Sequence, residues 1–404
     1  MSQPTNLHSG VPFWLVDNGL AAAQPTLAQS TSCDVVVWGA GVTGALVADR
    51  LAREGLDVVV LDRHESGIAS TAASTALIQY EIDLELLELG AHIGDDDAAR
   101  AYQMSADAVR QLGQLCAGLD GVDFQSRSSL YLASTRRDAA RLQRETDARA
   151  ALGLDVAWLS REDVAGRYGF PSHGAVTSTL AGEVDALALT RALLARAASR
   201  GARWYEQTHV RGYEELPNGV RLRTRHGATI DARFAVCATG YELPSYFELD
   251  VATLHSTYAL ATERLPGFGP WDDRCLVWES ARPYSYMRTT ADRRILIGGG
   301  DVPFQNAIAR DLLIPRKTQQ LEARLQTLLP DIRAETAFRW AGTFAETEDG
   351  LPCIGGVDRY PGILFALGYG GNGITFSVIA SEMLAEHCLG RTPEAAALYS
   401  MTRF

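Results

Sequence analysis

Residues 34–62 read DVVVWGAGVTGALVADRLAREGLDVVVLD, and this stretch decides the fold. The valines at 35–37 predict a strand, the apolar periodicity of residues 42–51 predicts a helix, and residues 56–61 predict a second strand. The glycines lie between the first strand and the helix. This order of elements is that of the mononucleotide-binding half of a dinucleotide fold.

Three glycines and one acid define the predicted site. Gly39 permits a tight turn, Gly41 lets the backbone approach a pyrophosphate, and Gly44 lets the helix pack closely on the strand. The N–H groups and partial positive charge of the helix N-terminus then face the anion. Asp62 ends the second strand, where a carboxylate can accept both ribose hydroxyls of an adenosine and repels a 2′-phosphate.

The composition indicates a globular protein with two domains. A chain of 404 residues is long for one core, and 47% hydrophobic and 21% charged residues are ordinary values. The net charge of −12 disfavours nucleic acid as a partner. No lysine or arginine precedes Arg50, and no apolar stretch near the start is long enough to span a bilayer. We therefore expect a cytoplasmic protein without a membrane partner.

The cysteines and lysines limit the available chemistry. The six cysteines show neither a CxxC spacing nor paired histidines, so we expect no metal site and no disulfide framework. Lys317 is the only lysine, and the helical pattern of residues 316–328 places it on an apparently exposed helix. Near the start, residues 11–16 predict the apolar anchor of an arm on the surface.

The remaining patterns predict how the two domains are built. Residues 219–224 and 228–232 indicate a hairpin, residues 234–240 a separate buried strand, and residues 254–300 a series of alternating strands. A glycine-dense segment at 368–373 precedes a predicted helix, whose N-terminus faces a possible anion. The order predicts a dinucleotide-binding domain from residues 1–82, 175–248 and 338–404, and a largely antiparallel second domain from residues 83–174 and 249–337.

Six motifs along the chain carry a resemblance to a known family. They are GAGVTG with Asp62, STAASTALIQYEID at 70–83, CATGYE at 237–242, YSYMRTTADRRILIGGGD at 284–301, FRWAGTFAETEDGLPCIGG at 338–356 and FALGYGGNGITFSVIASE at 365–382. Together they resemble the D-amino-acid-oxidase and glycine-oxidase superfamily of FAD-dependent oxidoreductases, and most closely the branch that contains gamma-glutamylputrescine oxidase and related amine oxidases. The resemblance implies an α/β fold, with a Rossmann-type FAD-binding domain and an inserted α+β substrate domain on a largely antiparallel sheet.

The resemblance implies oxidation of a small-molecule amine or amino acid, with hydride passing from the carbon that bears nitrogen to flavin N5. The imine then hydrolyses, and O2 reoxidises the flavin to give peroxide. Non-covalent FAD is expected because residues 67–74, GIASTAAS, offer neither cysteine nor histidine, and Gly342 stands where one group of relatives carries its cysteine.

The resemblance also assigns residues to the FAD site. For the hydroxyl-rich run, the alternative is a helix N-terminus capped by Ser or Thr side chains. For the C-terminal loop, the alternative is a structural turn into a helix. The assigned residues are Gly39, Gly41, Val42, Thr43, Gly44, Asp62, Arg63, Ser70, Thr71, Ser74, Thr75, Ala76, Val210, Ala238, Thr239, Gly240, Gly342, Gly370, Gly371, Asn372, Gly373, Ile374 and Thr375.

Four residues are candidates for the substrate side. Arg288 aligns with the arginine that holds the substrate carboxylate in amino-acid oxidases of the superfamily, and a planar guanidinium suits that role. A structural ion pair is the alternative. Tyr286, Trp340 and Tyr369 could wall the site, although core aromatic residues would give the same pattern.

Two other functions stay open, and a third is disfavoured. A flavin-dependent dehydrogenase of an amino acid or 2-hydroxy acid would use another acceptor than O2, and His255 would be the base for a hydroxy acid. A non-catalytic FAD-binding assembly factor would keep the dinucleotide site and lose the substrate pocket. An NAD-dependent dehydrogenase leaves the strand ending in Ala-Thr-Gly and the C-terminal glycine loop unexplained.

Overall fold

The computed structural model describes residues 6–19 and 21–404, which form two sheets and their covering helices. The helices are α1 (Phe13–Asn18), α2 (Val42–Arg53), α3 (Ser70–Ala73), α4 (Leu86–Ile93), α5 (Asp95–Cys116), α6 (Arg136–Ala151), α7 (Arg161–Tyr168), α8 (Ala186–Ser199), α9 (Ala307–Leu312), α10 (Ile314–Leu328) and α11 (Gly373–Cys388). The strands are β1 (His8–Gly10), β2 (Thr31–Trp38), β3 (Val58–Leu61), β4 (Leu77–Gln79), β5 (Gln125–Leu132), β6 (Val156–Leu159), β7 (Ala175–Glu183), β8 (Arg203–Tyr205), β9 (Val210–Leu216), β10 (Gly219–Thr224), β11 (Thr229–Cys237), β12 (Thr253–Thr262), β13 (Leu276–Glu279), β14 (Ser285–Thr289), β15 (Ile295–Pro303), β16 (Thr336–Glu346), β17 (Cys353–Gly356) and β18 (Ile363–Leu367).

The first sheet, called the parallel sheet here, has the strand order β17-β18-β11-β2-β3-β8, with β10 and β9 continuing from β11. The strands from β18 to β8 are parallel. β2 is followed by β3 on one side and bordered by β11 on the other, so the strand order reverses beside β2. Ligands of doubly wound sheets bind at such a point, beyond the carboxyl ends of the strands.

The second sheet, called the antiparallel sheet here, has the order β1-β16-β12-β15-β14-β13-β5-β7-β4, with β6 also paired to β7. Its pairs are antiparallel except for β13 with β5. One face packs on the cluster that contains Met287, Leu321 and Leu325, under α10. The other face turns toward α3 and the glycine loop before α11. The predicted fold class, a Rossmann-type domain with a largely antiparallel partner sheet, is confirmed.

The opening stretch folds as predicted, whereas some boundaries differ. The strand, helix and strand predicted from residues 34–62 are β2, α2 and β3. Residues 228–232 and 234–240 do not form two strands, because β11 runs unbroken through Arg233 while pairing with β10 in its first half and β18 in its second. The domain boundaries stay a prediction, and β7 and β16, which they place with the FAD domain, pair in the antiparallel sheet.

The N-terminal arm is not a surface feature, and that expectation is wrong. Phe13 and Trp14 are both 3% exposed, because α1 packs against α3 and α8. The Trp14 indole donates to the carbonyl oxygen of Ser74 at 2.8 Å. The arm therefore supports the hydroxyl-rich segment after α3 from behind. None of the helices in the described ranges is long and apolar enough to cross a membrane.

Candidate cofactor and substrate site

The glycine turn leaves no room for side chains at two of its three glycines. Gly39 has a φ of +113°, and a Cβ there would lie 2.3 Å from the Ala238 carbonyl oxygen. A Cβ on Gly44 would lie 1.8 Å from the Gly39 carbonyl oxygen. At Gly41 the nearest atom would be the Thr71 hydroxyl oxygen, at 3.2 Å. The turn is therefore held closely on two sides and opens toward the segment that follows β3.

The N-terminus of α2 is tied to that segment and to α11. The Thr71 hydroxyl accepts the N–H of Val42 at 3.0 Å, so α3 supplies the polar partner that the N-cap glycine lacks. The hydroxyls of Thr43 and Ser377 are 2.7 Å apart. Helix N-termini with their donors directed at one place suit a pyrophosphate.

Asp62 lies directly after β3, as predicted. Its carboxylate accepts the N–H groups of Ala40 at 2.7 Å and His64 at 2.8 Å. Burial raises the pKa of Asp62 to about 6, although both N–H donors and the Arg63 guanidinium favour the charged form. Arg63 itself pairs with Glu242. The acid therefore stands between the glycine turn and the chain that leaves β3, where the adenosine ribose is expected.

Four further predicted FAD residues border this end of the parallel sheet. Ala238 follows β11 and donates its N–H to the Trp38 carbonyl oxygen at 2.8 Å. Thr239 and Gly240 continue from it, and Gly240 has a φ of +65°. Val210 begins β9 and is buried in the core that contains Trp38 and Leu61.

The hydroxyl-rich run has features that suit a bound flavin. The Ser70 hydroxyl is buried without a hydrogen-bond partner among the described residues. Ala76 has a φ of +55°, which is uncommon for a residue with a side chain. Ser74 turns its hydroxyl to the N–H of Ala76 at 3.0 Å, and Thr75 is buried. An orphaned hydroxyl and a strained backbone fit a segment shaped to hold a ligand.

The C-terminal glycine loop is joined to the chain after β4. Gly371 donates its N–H to Asp83 at 3.0 Å, and the Asn372 amide donates to the Glu81 carbonyl oxygen at 2.5 Å. Thr375 donates to the Gln79 carbonyl oxygen at 2.8 Å. Gly370 has a φ of +54°, Gly373 is the first residue of α11, and Ile374 is buried in the core. The two segments expected on either side of the flavin therefore lie together.

The hydroxyl-rich run and the C-terminal glycine loop are together called the cofactor cradle here. The antiparallel sheet presents a polar and aromatic face to this cradle. Tyr286 of β14 and Tyr284, which directly precedes β14, lie on that face because alternate residues of a strand share a face. Thr257 and Gly342 lie opposite each other in the β12–β16 pair. A Cβ on Gly342 would lie 3.9 Å from the Ala73 Cβ of α3. Burial raises the pKa of the Tyr286 phenol, against the effect of the Thr257 and Thr75 hydroxyls. Tyr286 thus lies between the sheet and the predicted flavin segment.

Three carboxylates border the same face: Asp83, Asp301 and Glu346. Asp83 accepts the Tyr284 hydroxyl at 3.0 Å as well as the N–H of Gly371. Burial, with the Asp83 charge nearby, raises the pKa of Asp301 to about 6. Burial, with the charges of Asp83 and Asp301, raises the pKa of Glu346 to about 7. One Asp301 oxygen is buried without a hydrogen-bond partner in the described ranges.

Two cations and one histidine flank the carboxylates. Lys317 is not on an exposed surface as expected, because α10 turns its ammonium to the Gly300 carbonyl oxygen at 2.5 Å. Burial lowers the pKa of Lys317, against the effect of the Asp301 charge. Arg282 lies over the Tyr284 ring, 5.1 Å from its centroid. His255 is 3.8 Å from Glu346, and burial lowers its pKa.

Arg288 is 1% exposed and lies two residues along β14 from Tyr286, so it is on the same face of the antiparallel sheet. Its guanidinium donates to the carbonyl oxygens of Ala76 at 2.8 Å and Val184 at 2.9 Å, and lies 3.5 Å from Glu183. This arrangement is the one that the structural ion-pair alternative requires. The arginine supports the backbone of the flavin segment.

Trp340 and Tyr369 are also buried rather than lining open space. The Trp340 indole donates to the Ala73 carbonyl oxygen at 2.8 Å, which joins β16 to α3. Tyr369 is 3% exposed, and its hydroxyl has no hydrogen-bond partner in the part of the chain that the structure describes. Of the four residues predicted for the substrate side, only Tyr286 is partly exposed, whereas Arg288, Trp340 and Tyr369 are buried.

The sequence analysis gave no role to the three carboxylates, although each lies inside a motif that it quoted. Asp83 ends STAASTALIQYEID, Asp301 ends the motif at 284–301, and Glu346 lies within FAETED. No spacing signal joins them. Asp301 and Glu346 are brought near each other by β12, which pairs with both β15 and β16, whereas Asp83 follows β4 and is held there by Tyr284 and Gly371. Within the described ranges, no group of three His, Cys, Asp or Glu side chains is placed to hold a metal ion.

Comparisons with known proteins agree with this architecture. The gamma-glutamylputrescine oxidoreductase of Escherichia coli K12 is 27% identical over 390 residues, covering 89% of this chain and 84% of that protein. A glycine oxidase of Bacillus licheniformis is 26% identical over 372 residues, covering 88% and 93%. The crystal structure of glycine oxidase from Geobacillus kaustophilus superposes with a TM-score of 0.78 at 24% identity, covering 92% of this chain and 99% of that one.

The family comparison covers most of the chain. The model of the DAO family, described as FAD dependent oxidoreductase, matches residues 34–387. That range includes the glycine turn, the hydroxyl-rich run, the three carboxylates and the C-terminal loop. The chain therefore belongs to the DAO family of FAD-dependent oxidoreductases.

Proposed function

We propose that this protein oxidises the C–N bond of a small cationic amine, using non-covalently bound FAD. The observation that carries the proposal is the face formed by Asp83, Asp301 and Glu346 opposite the cofactor cradle. The FAD accepts a hydride from the carbon that bears nitrogen. The imine product then hydrolyses to a carbonyl compound and ammonia or an amine.

The charges on the face favour a cationic substrate. Three carboxylates border it, and the cations beside them are Arg282 and Lys317. Lys317 is occupied by the Gly300 carbonyl oxygen, and Arg282 is exposed over the outer side of the Tyr284 ring. The tyrosine rings also offer π faces to an ammonium group. A protonated amine bound at this face contacts both the carboxylates and the tyrosine rings.

The raised pKa of Glu346 supports a role in proton transfer. An alkylammonium has a pKa near that of lysine, about 10.4, and cannot lose hydride until it is deprotonated. A carboxylate with a pKa of about 7 is a stronger base than an ordinary glutamate. We assign the proton to Glu346, with His255 at 3.8 Å as the nearest second group.

The position of Arg288 supports an amine over an α-amino acid. Its guanidinium already donates to backbone carbonyl oxygens and lies 3.5 Å from Glu183, and these contacts compete with the binding of a substrate carboxylate. The names of the two relatives point to both classes, since one is named for gamma-glutamylputrescine and the other for glycine. The carboxylates of this chain favour the amine, because they would repel a carboxylate placed beside them.

The buried cysteines support non-covalent FAD. Burial raises the pKa of Cys237 to about 11, which keeps its thiol protonated and unreactive. Cys353 contacts Arg403 at 3.3 Å near the C-terminus. Flavin that separates from the protein on denaturation in acid would support this attachment, and flavin that stays with the precipitate would contradict it.

The test is an anaerobic titration of the flavoprotein with alkylamines, diamines, α-amino acids and 2-hydroxy acids, followed by flavin absorbance. We expect amines to bleach the flavin at lower concentration than α-amino acids do. Bleaching by 2-hydroxy acids alone would instead support oxidation of a 2-hydroxy acid, with His255 as the base. Bleaching by none of the four classes would favour the non-catalytic flavoprotein.

Admission of air then separates an oxidase from a dehydrogenase. We propose O2 as the acceptor, so the absorbance of the bleached flavin should return within the turnover time, with formation of peroxide. A flavin that stays bleached in air and recovers with an artificial acceptor would identify a dehydrogenase.

A further inference from the structure

A cavity of about 560 Å³ lies next to Tyr284 and Gly300. Its walls come from α10, from the chain around the ends of β5 and β13, and from the turn before β14. Apolar side chains of Leu132, Leu321 and Pro283 line part of it. Its volume is in the range of sites that hold small organic molecules.

The charged side chains of this cavity leave an excess of positive charge. Glu279 is 5% exposed and already accepts the N–H of Ser285 at 3.2 Å and the Arg324 guanidinium at 3.1 Å. Arg161 also lines the cavity, is exposed to solvent, and forms no salt bridge with a residue in the described ranges. Glu279 and Arg324 cancel each other, so the remaining charge is that of Arg161.

The hydrogen-bonding groups that remain favour an anion. The His173 ring and the hydroxyl of Ser172 line the same wall as Arg161. A carboxylate accepts hydrogen bonds from all three kinds of group, and the planar guanidinium can hold it by two bonds. The cavity therefore combines an apolar floor with a rim of donors.

Two residues are shared between this cavity and the carboxylate face. Tyr284 lines the cavity, while its hydroxyl donates to Asp83 at 3.0 Å. Gly300 lines the cavity too, and the next residue along β15 is Asp301. The two sites are thus separated by one tyrosine side chain and one strand edge.

We propose that this cavity binds the carboxylate end of an extended substrate, whose amine end lies at Asp83, Asp301 and Glu346. The inference rests on the proposed function and narrows the substrate class to amines that carry a carboxylate at the far end of a flexible chain. Arg161 holds the carboxylate, and the methylene chain passes Tyr284 and packs on Leu321. Arg161 is a specificity residue and takes no part in the hydride or proton transfer.

The test compares ω-amino acids of increasing chain length with alkylamines of the same length, in the wild type, Arg161→Ala and Arg316→Ala. Arg316 is an exposed arginine of α10 outside the cavity and serves as the matched control. We expect one chain length to give the lowest KM, and Arg161→Ala to raise that KM about tenfold or more. The KM for the matched alkylamine should change far less, and Arg316→Ala should change neither.

Equal KM effects of Arg161→Ala on both series, or no effect on either, would overturn the assignment of the cavity. If no amine reduces the flavin, the proposed function fails separately, and calorimetric titration with glutarate still tests the cavity. Glutarate should then bind the wild-type flavoprotein about tenfold more tightly than Arg161→Ala. Equal binding of glutarate by the two proteins would overturn the inference without reference to turnover.

Discussion

Asp83, Asp301 and Glu346 show how residues far apart in the chain form one chemical environment. Each is polar and unremarkable in sequence, yet burial, with the charges of the neighbouring carboxylates, raises the pKa of Asp301 to about 6 and of Glu346 to about 7. Carboxylates that are partly buried and close to one another hold protons more tightly than isolated ones. Such shifts are common where a side chain must exchange a proton near neutral pH.

At the same scale, the glycine turn gives a prediction with an internal control. Gly44→Ala should abolish FAD binding, because its Cβ would lie 1.8 Å from the Gly39 carbonyl oxygen and force the turn apart. Gly166→Ala, in α7, meets nothing within 4 Å and should bind FAD as the wild type does. The flavin-to-protein absorbance ratio after purification measures both. A normal ratio for Gly44→Ala would mean that the turn does not hold the cofactor.

The residues of this site were predictable from sequence to different degrees. Gly39, Gly44 and Asp62 belong to a local pattern whose spacing reflects backbone geometry, and the structure places them as that pattern requires. Asp83 and Glu346 depend on strand register and on burial, which no local pattern records. Lys317 was misplaced for the same reason, since its half-buried position follows from how α10 packs on the antiparallel sheet.

At the scale of elements, the segment after α3 is held by three parts of the molecule. The Trp14 indole binds the Ser74 carbonyl oxygen, the Trp340 indole binds that of Ala73, and Arg288 binds that of Ala76. All three donors bind backbone carbonyl oxygens of residues 73–76. The hydroxyl groups of this segment are therefore carried on a backbone that is held at three points.

Glu183 supplies the negative charge beside Arg288, the arginine that holds this segment. It is 2% exposed, at 2.7 Å from Arg127, 3.5 Å from Arg288 and 3.8 Å from Arg274. Glu183→Gln leaves these arginines without their shared partner and should lower the free energy of unfolding by about 3–5 kcal/mol.

Urea denaturation of Glu183→Gln and of the exposed control Glu335→Gln measures this effect. The control should unfold at the wild-type midpoint, because its side chain lies at the surface. If Glu183→Gln also unfolds at the wild-type midpoint, the buried cluster does not support the flavin segment.

The elements themselves were predicted better than their roles. β2, α2, β3 and α11 follow from periodicity and glycine punctuation, and each is present in the structure. β11 was predicted as two segments, 228–232 and 234–240, whereas the structure continues it as one strand through the exposed Arg233. The arm was taken for a surface feature because its partners lie far along the chain, in β16 and α3.

For the whole molecule, the carboxylate face is a place where function opposes stability. Burial of charged acids costs free energy, which the protein recovers only when these acids are protonated or bound to a cation. The buried histidines act in the opposite direction, because burial lowers the pKa of His8, His209 and His387. The pH dependence of total stability is therefore a sum of opposing contributions, whereas a single substitution isolates one of them.

Glu346→Gln isolates the contribution of one carboxyl group. The folded pKa of about 7 lies above the unfolded value of 4.5, so the contribution of Glu346 is complete below pH 4.5 and is lost as the pH rises through 7. With FAD removed from both proteins, we expect Glu346→Gln and the wild type to have the same thermal midpoint near pH 4.5. At pH 8 we expect the midpoint of Glu346→Gln to be the higher of the two. A difference between the two proteins that does not change with pH would contradict the raised pKa.

The central claim is that Glu346 accepts the proton of a cationic amine before hydride transfer. The most direct measurement is the anaerobic rate of flavin reduction by an alkylamine as a function of pH, in the wild type, Glu346→Gln and the exposed neighbour control Glu348→Gln. We predict that the wild-type and Glu348→Gln rates rise with pH through about 7, and that Glu346→Gln loses this rise and is about 10²–10⁴-fold slower. A Glu346→Gln variant with the wild-type rate and pH profile would contradict the account.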